Sequence, residues 1–288
     1  DGSIVERMAT TTAHLSASER EFVRDGVVED VRSDGRRRVD FRRVWVQVGN
    51  IPQANGSSRV TVGDTDCVMG IKLELGQPDA NAPGNGKIVV EVDVSSTASP
   101  TFKGRGGEDI AAELSAALRS LLQGSTQQKY CALDLTTLSI VHGKTCWIMY
   151  IDAVVLSVGG NLLDVLSLAM KAALADTEIP KVEVSGMEDD DDIPEIEIDS
   201  EETWKLDSFR IPTTVTVCQV ERSLLVDPTA DEEVCADSAL AVGVASTGDV
   251  VGITKLGFCS IPHDVCKDMI YLAQQTGKRL LRQLRLTL

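Results

Sequence analysis

The chain has 288 residues, 43% hydrophobic residues and a formal net charge of −16, enough for one large or two smaller domains with an ordinary core. No apolar run reaches the roughly 18 residues that a membrane span needs, so we expect a protein of the cytosol or nucleus. Seven cysteines without a Cys-x-x-Cys pair and only three histidines argue against a disulfide framework, a zinc site and imidazole catalysis.

The charges are unevenly distributed along the chain. Ten acidic and no basic residues lie between Gly186 and Glu202, which leaves only −6 for the remainder. Like charges in such a run repel each other in a compact fold, so the sequence predicts an acidic mobile connection at 186–206. Basic residues form two groups, which are compatible with a local RNA-binding face. They are Arg32, Arg36, Arg37, Arg38, Arg42 and Arg43, then Lys278, Arg279, Arg282 and Arg285.

The first predicted elements are a helix and then several strands. Ser18 to Glu21 fits a capping box ahead of a short helix that ends near Gly26, so residues 1–30 are interpreted as an N-terminal helical extension. A turn at Ser33 to Arg36 leads to strands that are predicted over 44–48, 60–66 and 68–75. Gly63 lies where a bulge or a tight bend is needed.

Two motifs in this region resemble the opening of the RNase PH family. They are Asp34-Gly35-Arg36 and Gly56-Ser57-Ser58-Arg59-Val60-Thr61-Val62-Gly63-Asp64-Thr65. The family includes bacterial RNase PH, polynucleotide phosphorylase and the hexameric ring of the exosome. The resemblance covers roughly residues 30 to 280 and implies an α/β (α+β) fold. Two similar half-domains, at 31–185 and 207–288, would each pack a mixed β-sheet with helices, and the first would resemble domain 2 of ribosomal protein S5.

A strand at 87–94 precedes a glycine-rich entry into a helix with apolar residues at helical spacing from Ile110 to Leu122. The residues alone fit either a phosphate-receiving helix N-terminus or a simple helix entry. Active relatives carry paired arginines here to bind phosphate, and this chain keeps Arg105 but has Gly106 and Gly107 beside it. Arg119 resembles the position where non-catalytic archaeal ring subunits direct an arginine toward RNA. The resemblance therefore makes Arg105 and Arg119 the RNA-binding candidates.

The remaining predicted elements complete two similar halves. Strands at 132–141 and 145–158 precede Gly159-Gly160-Asn161 and a helix. That loop lacks the third glycine and the Lys-Ser/Thr of a nucleotide-binding loop, so we interpret it as a packing feature. The second half has predicted strands at 213–220, 223–226, 240–246 and 250–256 and a helix from 263 to about 284.

The acidic corner, defined here as Leu224 to Val244, joins two strands through a carboxylate-rich turn. The pattern alone fits a divalent-metal site or a solvated turn, and charge runs favour the solvated turn. Active family members place two aspartates here for metal-assisted attack of phosphate on the RNA 3′ end. The alignment puts Glu233 at the first position and Ala239, which cannot ligate a metal, at the second. Asp237 lies two residues from that position, roughly 6–7 Å along an extended chain, and is too far away to replace a fixed ligand.

The resemblance therefore implies a non-catalytic structural and RNA-path subunit of the exosome core ring, without metal or cofactor. It would support 3′-to-5′ RNA processing and degradation by associated subunits. Expected partners are other RNase PH-like ring subunits, S1/KH-type cap subunits, catalytic exoribonucleases and RNA, in the nucleus, nucleolus and cytoplasm. The alternative is an active phosphate-dependent 3′-to-5′ exoribonuclease. An unrelated nucleotide-binding enzyme is disfavoured because no phosphate motif is complete.

Overall fold

The computed structural model describes residues 15–99, 102, 105–123, 132–185, 195–257 and 259–287, without the side chains at 105, 106, 195, 200, 201 and 285–287. Its helices are α1 (Ala17–Val28), α2 (Arg105–Gln123), α3 (Leu162–Asp176), α4 (Ala230–Cys235) and α5 (His263–Thr287). Its strands are β1 (Val44–Val48), β2 (Gly56–Val62), β3 (Thr65–Gly76), β4 (Lys87–Val94), β5 (Ser139–Val141), β6 (Thr145–Ser157), β7 (Glu178–Ser185), β8 (Glu195–Lys205), β9 (Thr213–Val220), β10 (Ser223–Val226), β11 (Ser238–Val244) and β12 (Val250–Leu256).

The first half is a mixed sheet in the order β1-β2-β3-β6-β4, with the short β5 paired to β6. β4 runs parallel to β6, and the other neighbours are antiparallel. Alternate residues of β3 and β6 are fully buried on the inner face, where α2 and α3 pack. This period of two is what a sheet with one covered face requires.

The second half is a four-stranded antiparallel sheet in the order β10-β9-β11-β12. Nearly every residue of β9 and β11 is buried, because α3 packs on one side of this sheet and α5 on the other. α3 therefore lies between the two sheets, and each of its residues from Leu162 to Leu174 is buried. The two predicted half-domains share this helix as the centre of one core.

Most predicted strands agree closely with the structure, and two do not. The strand predicted over 60–66 contains the hairpin turn between β2, which ends at Val62, and β3, which begins at Thr65. The predictions for β1, β4, β9, β10 and β12 match residue for residue. Residues 132–141 were expected to form one strand, but a 3-10 turn occupies Leu135–Leu138 and only Ser139–Val141 pairs as β5. Asp134 caps that turn by accepting a hydrogen bond from the Thr136 N–H, which competes with an extended backbone.

The N-terminal helix is present but starts two residues before the predicted capping box. Ser16 is its N-cap, and Glu19 completes the box by accepting a hydrogen bond from the Ser16 N–H. The helix ends at Val28, just past Gly26, where the prediction ended it. No helix in the described ranges is both long and apolar enough to cross a membrane.

The expected acidic connection at 186–206 is only partly described, and its described part is a strand. Residues 186–194 lie outside the described residues, whereas Glu195–Lys205 form β8 and pair antiparallel with β7. Ile179 at the base of this hairpin is buried, and Trp204 packs against the core, which anchors both strands despite their charge. Residues 195–205 of the predicted mobile connection are therefore a paired strand.

Candidate functional site

Asp227 is the central carboxylate of the acidic corner. It is fully buried and has a left-handed backbone with φ of +52°. Arg42 donates from Nη2 to Oδ1 and from Nε to Oδ2, both at 2.8 Å, and Arg36 Nη1 donates to Oδ2 at 3.0 Å. Burial would raise the pKa of Asp227, but the hydrogen bonds and charge of Arg42 outweigh it and leave the pKa below its ordinary value. Asp227 is therefore a charged interior group that binds two arginines.

Glu232 forms a second buried ion pair, with Arg32. The Arg32 guanidinium donates from Nε to Glu232 Oε1 at 2.7 Å and from Nη2 to Oε2, and it also donates to the carbonyl oxygens of Val226 and Asp227. Glu232 Oε2 accepts a hydrogen bond from the Thr229 N–H at 2.8 Å, so it also caps the short helix α4. All of these atoms are withdrawn from solvent.

Glu233 points into the junction between the two halves of the chain. Its Oε1 accepts a hydrogen bond from the Asn161 N–H at 2.7 Å, just before α3 begins, and Asn161 Nδ2 donates to both Asp164 and Asp227. Burial raises the pKa of Glu233 to about 7 and that of Asp164 to about 6. Three carboxylates from both halves therefore surround Asn161 in the interior.

We predict that Glu233→Gln stabilises the chain progressively as the pH rises from about 5 to 8. Because the pKa of Glu233 is raised from 4.5 to about 7, the native state keeps a proton that the unfolded chain releases between these values. Ionisation in the interior thus lowers the free energy of unfolding with rising pH, by about 3 kcal/mol in total. Glutamine keeps the acceptor for the Asn161 N–H and does not ionise.

Urea unfolding of both chains at several pH values measures this difference. Glu21→Gln, on the exposed surface of α1, is the control and should leave the pH dependence unchanged. If the free energies of unfolding of the wild-type and Glu233→Gln chains changed equally with pH across this range, Glu233 would not be the group that ionises in the interior.

Asp237 and Ala239, the two remaining residues of the predicted active-site alignment, have other neighbours. Asp237 accepts hydrogen bonds from Arg24 Nη1 and Nη2 at 3.1 and 3.2 Å and from the Glu221 N–H at 2.6 Å. Ala239 is 2% exposed in β11, opposite Cys218 and Leu256. Within the described part of the chain, no group of three potential ligands is arranged for a metal. The favoured interpretation as a solvated turn was also wrong, because Asp227, Glu232 and Glu233 are buried.

Most arginines of the first basic group, at 32–43, bind acceptors within the protein. Arg32, Arg36 and Arg42 bind acceptors of the acidic corner, and Arg38 donates to Asp30 and to Ser223 Oγ. The Arg43 guanidinium lies 4.3 Å from the ring centroid of the exposed Trp45. We call residues 32–43 the arginine segment. Its contacts with the second half come from Arg32, Arg36, Arg38 and Arg42.

An open groove of about 720 Å³ lies beside this network. It is bordered by charged groups of both signs and by the Trp45 ring. Its lining residues are Asp34, Arg36, Arg42, Arg43, Trp45, Thr61, Gly63, Asp64, Val158, Gly159, Thr229, Ala230 and Asp231. Arg36 and Arg42 bind Asp227, so the exposed Arg43 on the Trp45 ring is the remaining arginine of the groove lining.

The Gly159–Gly160 loop serves packing, as the sequence indicated. Gly160 has φ of +95°, and a Cβ there would lie 2.5 Å from the Ala230 backbone nitrogen. A Cβ on Gly159 would lie 2.7 Å from the Cβ of Asp64. The loop can therefore approach the acidic corner and a turn of the first sheet only without side chains.

The RNA-binding candidates both belong to α2. Arg105 is its first residue, and its side chain lies outside the described residues. Arg119 is exposed and donates to the Val90 carbonyl oxygen on β4 at 3.4 Å. No ion pair joins Arg119 to Glu108 or Glu113 in the side chains that the structure describes. Gly107 has no room for a side chain, because a Cβ there would lie 2.6 Å from the Phe102 carbonyl oxygen.

Sequence reasoning missed the polar residues that join α3 to β9. Asp164 accepts from the Thr216 N–H and hydroxyl, Ser167 accepts from the Thr214 N–H, and Lys171 Nζ donates to the Ile211 carbonyl oxygen at 2.6 Å. These three polar residues recur at a spacing of three and four in an otherwise apolar helix. That spacing is a signal for a buried polar stripe.

Comparison with known proteins agrees with this architecture. Models of the 3′ exoribonuclease (RNase PH) family match domain 1 at residues 40–180 and domain 2 at residues 210–276. A Dictyostelium discoideum protein named as the exosome complex exonuclease RRP42 is 31% identical, over 95% of this chain and 98% of that protein. The exosome complex component Rrp42 of Methanopyrus kandleri is 35% identical, over 88% and 91%.

A solved structure extends the agreement to the fold. A chain of the Archaeoglobus fulgidus exosome, solved with RNA bound to the active site, has a TM-score of 0.77 and 28% sequence identity. The match covers 92% of this chain and 96% of that one. Because the family models match both halves and relatives above 30% identity are covered almost end to end, this chain belongs to the RNase PH family of 3′ exoribonucleases.

Proposed function

We propose that this chain is a structural, non-catalytic subunit of an exosome core ring. The observation that carries the proposal is the combination of Ala239, which offers no ligand, with the inward-facing carboxylate of Glu233. The relatives named above as exosome components support placing the chain in such a ring. Its role would be to support 3′-to-5′ RNA processing and degradation by associated subunits.

The electrostatics of the acidic corner support the loss of catalysis. Metal-assisted chemistry needs two ligands that converge on one solvent-accessible point. Here Asp227 and Glu232 are bound by arginines, and Glu233 receives the N–H at the entry to α3. Freeing any of these carboxylates for a metal would leave a buried arginine or a buried N–H unpaired, which is unfavourable.

The entry to α2, where active relatives bind phosphate, also supports this proposal. Active relatives use paired arginines, and this chain has Gly107 in a position where the fold leaves no space for a side chain. A second basic side chain at 107 would therefore require the entry to α2 to rearrange. Arg105 alone remains to meet a phosphate.

We predict that the purified chain does not shorten RNA in the presence of phosphate and Mg²⁺. The assay follows a 3′-extended, 5′-labelled RNA and the release of nucleoside diphosphates, with an active RNase PH as the positive control. Phosphate-dependent shortening that disappears in Glu233→Gln or Asp237→Asn variants would establish the alternative, an active exoribonuclease. That alternative is retained because the Dictyostelium relative is named an exonuclease.

We further propose that Arg105 and Arg119 contact RNA phosphates on the central path of the ring. Arg119 is exposed on α2, and its described contact is the long one to Val90, so its guanidinium has donors to offer. A guanidinium pairs with phosphate oxygens without reading bases. The contact would therefore add affinity independently of RNA sequence.

Arg119→Ala in the assembled ring is expected to weaken RNA binding for every sequence tested. The slope of log K against log salt should fall in magnitude by about one phosphate contact. Fluorescence anisotropy at several salt concentrations measures both quantities. Arg59→Ala is the matched control, because Arg59 is exposed but already paired with Asp66 on the first sheet. Equal effects of the two variants, in rings shown intact by sedimentation, would show that Arg119 does not contact RNA.

The partners that we propose follow from the ring. They are other RNase PH-like ring subunits, S1/KH-type cap subunits, associated catalytic exoribonucleases and RNA, in the nucleus, nucleolus and cytoplasm. The terminal strands β10 and β12 of the second sheet each pair on one side only in the described chain. Such edges favour association with neighbouring chains, so lateral partners are consistent with the fold.

A further inference from the structure

The outer face of the first sheet is the side that points away from α2 and α3. Along β3, β4 and β6 it presents the residues that alternate with the buried ones. Lys72, Glu74, Glu91, Asp93 and Asp152 are exposed on this face. A sheet with one solvated face is ordinary when that face is polar. The outer face has two features that depart from this expectation.

The first feature is its apolar content. On β6, Val154 and Leu156 are 37% and 39% exposed. Val68, on β3, lies opposite Val154 and is half-buried, as are Tyr150 and its partner Val89 on β4. Val68, Val154 and Leu156 form one apolar group, and Tyr150 and Val89 form a second, with Asp152 between the two groups on β6. Exposed apolar groups that lie close together are typical of interaction sites.

The second feature is a group of carboxylates without cations between and beside these two apolar groups. Glu91 lies directly opposite Asp152 in the parallel β4–β6 pair, and Asp93 lies opposite Val154. In the described part of the chain none of the three forms an ion pair. Two like charges facing each other across a sheet are destabilising. Partial burial and the charge of Glu91 both raise the pKa of Asp152.

We propose that the outer face docks a protein segment in which a lysine or arginine is flanked by apolar side chains. The cation would lie between Glu91 and Asp152 and remove their repulsion, and the apolar side chains would cover Val154 and Leu156. Charge complementarity selects this occupant. RNA would bring phosphates against three carboxylates, and a second copy of the chain would bring the same acidic face. This inference stands on the sheet alone and does not depend on the ring proposal.

A photo-crosslinking residue tests the inference in the native assembly. Val154→p-benzoylphenylalanine, expressed in the source cells and irradiated before purification, is expected to give a crosslink to a protein segment. Mass spectrometry should locate a lysine or arginine within a few residues of the crosslinked site. Crosslinks to RNA, to a second copy or to a segment without a basic residue would each overturn the proposal, as would the absence of any crosslink.

Charge reversal then tests the proposed ion pair. Adding Glu91→Lys and Asp152→Lys should lower the crosslink yield about tenfold or more, since unpaired charges at an interface cost a large part of its affinity. Glu74→Lys, on the same face but paired with Lys72, should leave the yield unchanged. Replacing the partner's basic residue with glutamate should restore the yield with the reversed chain. Failure of this rescue would overturn the pairing, and thermal melting of the purified chain checks that the variants fold.

Discussion

Asp227→Asn should lower the free energy of unfolding by about 3–5 kcal/mol, the usual effect of breaking a buried ion pair from one side. Asparagine has the same shape and tolerates the left-handed backbone at φ +52°. The substitution therefore removes the charge and replaces one accepting oxygen by an NH2 group that faces N–H donors. Arg42, whose guanidinium binds both carboxylate oxygens, would remain in the interior without its counter-charge.

Urea unfolding followed by circular dichroism measures the loss. Asp237→Asn is the matched control, because Asp237 also pairs with an arginine through two hydrogen bonds but is partly exposed. That pair should contribute no more than about 1 kcal/mol. A similar small loss for both variants would mean that Asp227 does not hold the arginine segment.

Arg32→Met should destabilise the chain by about 3–5 kcal/mol, and adding Glu232→Leu should restore a large part of that loss. The single change leaves Glu232, 1% exposed, as a buried carboxylate without a cation, whereas the double change replaces the pair by apolar side chains of similar length. The restoration will be incomplete, because Arg32 also donates to three backbone carbonyl groups, those of Asp40, Val226 and Asp227.

A double-mutant cycle with both single variants measures the coupling between Arg32 and Glu232. We expect a coupling energy of a few kcal/mol, which is well above the error for independent sites. Additive losses would show that the two side chains act separately, and that the destabilisation comes from the carbonyl groups alone.

Local patterns were sufficient to predict most of the fold. β9 and β12 were predicted to the residue because each is an apolar or β-branched run between turn signals such as Gly248. β8 was missed because its sequence is dominated by charge, and only its pairing with β7 and the anchoring of Trp204 reveal a strand. Such tertiary anchoring has no signature in a local window.

The candidate site was predictable only in part. The family resemblance predicted that Glu233 and Ala239 occupy the two active-site positions, and that assignment stays a prediction. The carboxylate run marked the corner as unusual. The directions of Asp227 and Glu232 could not be inferred, because they depend on arginines that are 185 to 200 residues away in sequence. Glu233 likewise depends on Asn161, 72 residues away. A short window therefore shows Arg42 as one member of a basic group and Asp227 as one member of an acidic group, although the two bind each other.

The same separation constrains how the chain matures on the ribosome. The arginine segment is synthesised early, but Glu232 and Asp227 follow it by 200 and 185 residues. At a synthesis rate of roughly 5–20 residues per second, these arginines are synthesised about 10–40 s before the carboxylates that bind them. During that interval α3, buried in the finished protein, has no second sheet to cover one of its sides. The nascent first half therefore exposes apolar surface until the second sheet has been synthesised, and we expect chaperones that recognise such surface to bind it.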